Sequence, residues 1–292
     1  MSVTFASEQI TAFIIILALS VLVPIVLFVR YYMTKKPKLA SFFVGFLGAL
    51  LVVGGKYIVD MFFVVMLGLG EYVNPAVHPV YTALYVSIVA SVLMTLSTWI
   101  LFRYGMKGRE GRENAFLMLI GKGGLYLIYY SGVSAMTYLS VALTVNQDGL
   151  DAYLKTITDP TTRDAQRQAV EALAARPVAE IISEGLLQVL IMLAQIALGV
   201  LIYMAMHKTK DILSSQKLAH IKKKEKQDLA WYQNRSEGLI PLTVILQALL
   251  IFPLTILQVG LAVDYALFLL AAGVLLTIMI TFGCYAVFKQ LK

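Results

Sequence analysis

Three ionisable side chains fall inside long apolar runs of this sequence, and each needs a reason to be there. Lys56 and Asp60 stand four positions apart, and Lys122 sits in Gly121-Lys122-Gly123-Gly124. A charge at bilayer depth costs at least ~2.5–3.5 kcal/mol on insertion scales, so such groups pair, snorkel or serve a site. The (i, i+4) spacing lets Lys56 and Asp60 neutralise each other on one helix face; an ion or substrate site is the other reading of the pair. Lys122 either snorkels to the nearer interface or enters a site. The glycines around it permit a helix break or the close approach of another backbone. This run is no phosphate loop: Phe116 stands where that motif has its first glycine, and Gly123 where it has Ser or Thr. Tyr126, Tyr129 and Tyr130 follow, and packing between helices is a simpler role for them than lining a wet cavity.

Metal-assisted hydrolysis inside a membrane would need imidazole or carboxylate ligands at depth. His78, His207 and His220 all lie outside the apolar runs, Asp60 is the only embedded carboxylate, and Glu184 stands near the end of its run. Cys284 is the single cysteine, which excludes an intramolecular disulfide framework and a cysteine-based zinc cage. No nucleophile–base pair is visible. The residues themselves therefore point to no enzyme chemistry, no metal and no cofactor.

The elements that carry these residues follow from composition. Of 292 residues, 59% are apolar and only 14% charged, and the mean hydropathy is +0.79. A soluble domain of this size carries about 25% charged residues, so the chain reads as an all-α, polytopic transmembrane helical bundle forming one membrane domain over 1–292. About seven runs reach the ~20 residues needed to cross a bilayer: 9–30, 40–66, 80–102, 115–145, 179–206, 239–261 and 265–288. The first lacks a basic leader and reads as a retained helix rather than a cleaved signal. Pro24 and Pro253 are expected to kink their helices.

Charge orients the bundle. Segments 30–39, 103–114, 207–238 and 289–292 hold 18 of the 24 Lys and Arg and sum to +12; the opposite loops hold ten of the 17 acids and sum to −6. The positive-inside rule then places the N-terminus outside and the C-terminus in the cytoplasm. The net +7 is thus a gradient across a membrane, and nucleic acid is not expected as a partner. Outside, loop 147–178 carries a short amphipathic helix that starts at Asp159-Pro160 and stops at Pro177. Inside, the basic loop 207–238 is either solvated or, over 211–232, an amphipathic helix on anionic lipid.

The chain resembles the YhfC-like family of intramembrane proteases, relatives of the CAAX-protease and bacteriocin-processing group. The likeness rests on "LSVLVPIVLFVRYYMTKKPKLASFFVGFLGAL", on "ASVLMTLSTWILFR" (Ala90–Arg103), on "LIGKGGLYL" (Leu119–Leu127), on "LLQVLIMLAQIALGVLIY", and on "ILQALLIFP" (Ile245–Pro253). The resemblance implies that Met94 and Thr95 stand for paired glutamates and Thr98 for an arginine. It likewise implies that Lys122 stands for a histidine, Tyr126 for a glutamate, Gln188 for a carboxylate, and Gln247 for a late histidine. At helical rise, Thr95, Lys122 and Gln247 fall ~10–12 Å from the cytoplasmic face and Gln195 at ~15 Å, which makes them one layer. Such a layer can hydrogen-bond a peptide, a lipid headgroup or itself, but lacks the groups that hold a divalent cation or activate water.

A degenerate, non-catalytic member follows from that comparison: a multi-pass plasma-membrane protein, of bacterial type, acting as a binding, regulatory or partner subunit for a membrane protein or peptide. Two other readings stand beside it. A permease would use Lys56, Asp60 and Lys122, although no internal repeat supports one; an active protease would need ligands of an unfamiliar kind.

Overall fold

A computed structural model describes residues 3–75, 77–109, 111–155, 157–214, 238–258 and 266–289, and every regular element among them is a helix. This is the outcome a bilayer imposes. With no water to satisfy backbone groups, a chain crosses hydrocarbon as a helix or as a closed barrel, and the apolar runs here have no strand-like alternation.

Helix α1 covers Ser7–Lys35 and α2 Ala40–Asp60, the latter prolonged by a π-helical turn, Met61–Met66. Helix α3 (Pro79–Ile100) ends in a second such turn, Leu101–Gly105. Helices α4 (Arg112–Leu127) and α5 (Val133–Asp148) form one rod through a third, Ile128–Gly132. Its 37 residues reach about 55 Å at helical rise. A ~30 Å hydrocarbon core holds such a rod only if it tilts or projects. The short α6 (Leu150–Leu154) and α7 (Pro160–Ala175) follow, then α8 (Val178–Ser214), α9 (Leu239–Gln258) and α10 (Ala266–Lys289). Six of these segments are long and apolar enough to cross a membrane, and a shorter apolar stretch, Leu269–Phe282, lies in α10. Each of the seven expected runs is therefore helical over its described core. The turn of α6 is an addition to the expected amphipathic helix, which is α7 itself. The basic helix considered over 211–232 falls, from residue 215 onward, outside the described residues.

Hydrogen bonds between loops show which of them share an end of the bundle. The Phe5 amide donates to Asn146 Oδ1 (2.7 Å), and Gln9 Nε2 donates to the carbonyls of Ala174 (2.9 Å) and Arg176 (2.8 Å). At the other end the Lys38 amide donates to Asn114 Oδ1 (2.8 Å) and Lys38 Nζ to the Gly108 carbonyl (3.1 Å). The alternation of ends is the one the charge pattern requires. Below, "outer" denotes the end that carries the N-terminus.

Helices α4 and α8 form the centre. Helix α4 packs on α1, α2 and α8, while α8 also meets α3, α9 and α10. The glycines of α4 make this possible. A Cβ on Gly121 would strike the Phe42 carbonyl of α2, and one on Gly124 would lie 2.8 Å from Pro24 of α1; at Gly123 it would meet Met192 of α8 at 3.2 Å. In α2, a Cβ on Gly45 would collide with the Met118 carbonyl and stand 2.7 Å from the Lys122 amide. Three glycines thus bring three neighbours against one helix, which continues unbroken through them. Close backbone approach, not a helix break, is their role. Pro24 and Pro253 also lie inside continuous helices. Large apolar side chains that face outward, such as Leu22, Val26, Leu47 and Leu50, are the surface that lipid covers.

Candidate functional site

Lys122 is 3% exposed, so it does not snorkel. Its stem passes Gly48 of α2, where a Cβ would stand 3.3 Å from Lys122 Cδ. Its Nζ reaches sideways to α3 and donates to the Met94 carbonyl and the Thr98 hydroxyl. Thr98 Oγ1 in turn donates to the Met94 carbonyl at 2.8 Å. One turn earlier on the same helix, Thr95 Oγ1 donates to Gln247 Oε1 of α9 at 3.0 Å. Met94 and Tyr126 pack in one apolar cluster with Leu250 and Ile251. Six of the eight expected positions, Met94, Thr95, Thr98, Lys122, Tyr126 and Gln247, are therefore gathered where α3, α4 and α9 meet.

The two glutamines of α8 behave differently. Gln195 is buried, and neither atom of its amide has a hydrogen-bond partner. Gln188 lies two turns nearer the start of α8, about 10 Å away along the axis. It lines a separate outer cavity with Glu184, Arg176 and Ser131. Hydrogen bonds join Lys122 to Thr98 and Thr95 to Gln247, Gln195 takes no part in them, and Gln188, which the resemblance and not helical rise had assigned, lines the outer cavity. The tyrosines also divide. Tyr126 packs, Tyr129 is exposed with its hydroxyl 3.3 Å from that of Tyr57, and Tyr130 lines the outer cavity. Packing is thus not the whole role of Tyr130.

Lys56 and Asp60 pair within α2, and the Tyr85 hydroxyl donates to Asp60 Oδ1 at 3.0 Å. Both members are about a third exposed. The pair is neutralised where it stands.

A second polar cluster was not singled out from the sequence. Arg176 donates through Nε to Glu180 Oε1 (2.7 Å) and through Nη2 to Glu184 Oε2 (2.7 Å), while Gln258 Nε2 donates to Glu184 Oε1 (3.0 Å). Burial opposes the Arg176 charge, and Glu184 and Glu180 more than offset that, so the guanidinium is held above its usual value. The signal was available: an arginine followed by glutamates at i+4 and i+8 across the start of a helix. At the cap of α7, Asp159 Oδ2 accepts from the Thr162 hydroxyl (2.5 Å) and amide (2.7 Å), which holds its carboxyl below the usual range.

The layer around Lys122 offers hydroxyls, an amide, a backbone carbonyl and an ammonium. A lysine ammonium has no lone pair to give and repels a cation, so this donor set does not suit a divalent metal. Among the described residues no group of three or more His, Cys, Asp or Glu side chains could hold one. What the layer can do is hydrogen-bond. A comparison with protein-family models matches residues 8–220 to the family described as YhfC intramembrane metalloprotease. No curated protein and no solved structure matches the chain.

Proposed function

We propose that this chain, which belongs to the YhfC intramembrane metalloprotease family, is a non-catalytic member that binds a membrane protein or peptide as a partner or regulatory subunit. One observation carries this reading. Lys122 directs two N–H donors at the Met94 carbonyl and the Thr98 hydroxyl of the neighbouring helix, where a hydrolase needs a metal ligand or a base. The metal that the family description implies does not fit this donor set, so no step of a mechanism runs through it. The side chains around Lys122 hold α3, α4 and α9 together and leave the remaining surfaces of the bundle to a partner. The setting is a plasma membrane of bacterial type, with the basic loop 207–238 against anionic lipid.

The test is mass spectrometry of the protein extracted with its native neighbours in a mild detergent, together with a metal assay. The expected result is a stoichiometric polypeptide partner and no bound transition metal. Stoichiometric zinc, with cleavage of a membrane peptide that a chelator abolishes, would overturn the reading.

A further inference from the structure

The polar groups at the outer end converge on a site of their own. Beside helix α7 lies a groove of about 730 Å³ lined by Val141 of α5, Val170 and Leu173 of α7, and Leu257 of α9, together with Arg176, Glu180 and Gln258. A volume of this order is typical of ligand clefts, which run to about 300–1,000 Å³. Tyr138 and Arg176 belong both to this groove and to the deeper cavity that Gln188 lines. That cavity has a volume of about 20 Å³, room for one water or a group of similar size.

Two independent features specify what fits. The first is charge. Arg176 is a single cation against Glu180, which lines the groove, and Glu184, which lines the cavity, so the ion cluster shared by the two spaces carries a net −1. It is part of the outer face, whose charges, these three included, sum to −6. The second is an orphan acceptor. Gln188 is 5% exposed, and its Oε1 has no hydrogen-bond partner although the side chain lines the cavity. Helical side chains lean toward the N-terminus of their helix, so the Gln188 amide is directed at the level of Glu184. A buried acceptor beside an excess negative charge calls for a compact donor cation. A primary ammonium, with three N–H donors and no acceptor, meets that need; a quaternary ammonium has no N–H to give.

The order of the two spaces decides the source. The apolar groove lies toward the outer surface and the polar end lies deeper, the reverse of a phospholipid in the outer leaflet. A polypeptide lying beside α7 has the right order. Its backbone and aliphatic neighbours occupy the groove, a lysine stem passes Arg176, and the ammonium ends between Glu184 and Gln188. We infer that the outer groove binds an extended segment of a partner polypeptide by inserting one of its lysine side chains toward Glu184 and Gln188. This names the partner chemistry of the proposed function and rests on it.

The experiment uses the full chain in phosphatidylcholine nanodiscs. The probe is a fluorescein-labelled Gly-Val-Lys-Val-Gly peptide, acetylated and amidated, with a second peptide carrying Met for Lys; binding is read by anisotropy. The lysine peptide is expected to bind at least tenfold tighter than the methionine peptide. Gln188→Leu should abolish that preference while leaving the melting temperature unchanged or raised, because it removes an atom that has no partner. Glu184→Gln should weaken the lysine peptide by a similar factor. Equal binding of the two peptides, or a preference that survives Gln188→Leu, overturns the inference. So does competition by n-butylamine at the affinity of the peptide, or by phosphatidylethanolamine in the nanodisc. These results leave the partner found in the native extract as a separate matter.

Discussion

At the residue scale, the clearest device is the pair of contacts that α3 sends out one turn apart. Thr98 receives Lys122 from α4, and Thr95 reaches Gln247 on α9 at 3.0 Å. Hydrogen bonds between membrane helices are modest, averaging about 0.6 kcal/mol with a maximum near ~1.7 kcal/mol in double-mutant cycles. A cycle of Thr95→Val and Gln247→Leu, followed by unfolding in detergent, should return a coupling of about that average. A coupling of zero would mean that the pair does not join α3 to α9. The residue types here were legible in the sequence, and so was their place inside apolar runs. Their partners were not: Lys122 could be placed inside the membrane from the letters alone, but not that it spans to a helix 24 positions earlier.

At the element scale, the glycines decide how closely helices approach. Gly45 and Gly121 sit where a side chain would meet the backbone of the facing helix, whereas Gly54, also in α2, has nothing within 4 Å of a built Cβ. Backbone cannot yield as a flexible side chain does. Gly45→Ala and Gly121→Ala should therefore each destabilise the protein by about 2 kcal/mol or more, in the range of overpacked sites. Gly54→Ala should be neutral or stabilise by up to about 1 kcal/mol through helix propensity. Thermal melting in detergent distinguishes these outcomes, and equal effects at all three positions would refute the crossing. The sequence marked Gly121, Gly123 and Gly124 as a place of close approach or breakage. It could not separate the two, because that choice depends on whether a neighbour such as Phe42 stands opposite. The outer cluster of Arg176, Glu180 and Glu184 was visible as spacing; the contribution of Gln258, 74 positions away, was not.

At the scale of the whole molecule, the charge gradient assigns the two ends to opposite sides of a membrane. With Cys284 replaced by alanine, Lys155→Cys should react with a membrane-impermeant maleimide in intact cells, and Lys107→Cys only after permeabilisation. Both lysines are exposed on the fold, so accessibility does not confound the result, and the reverse pattern would invert the topology. The sequence by itself determined the class, the spans and their alternation. Hydropathy and charge are sums over neighbouring residues, and helical rise makes depth proportional to residue number. Only the tertiary structure decided which polar groups meet. It gathered Thr95 with Gln247 and Lys122 with Thr98, and set Gln188 apart with Arg176 and Glu184. The physical reason is that a residue's direction around its helix axis gains meaning only from the helix it faces, and that choice is made by packing among segments far apart in the chain.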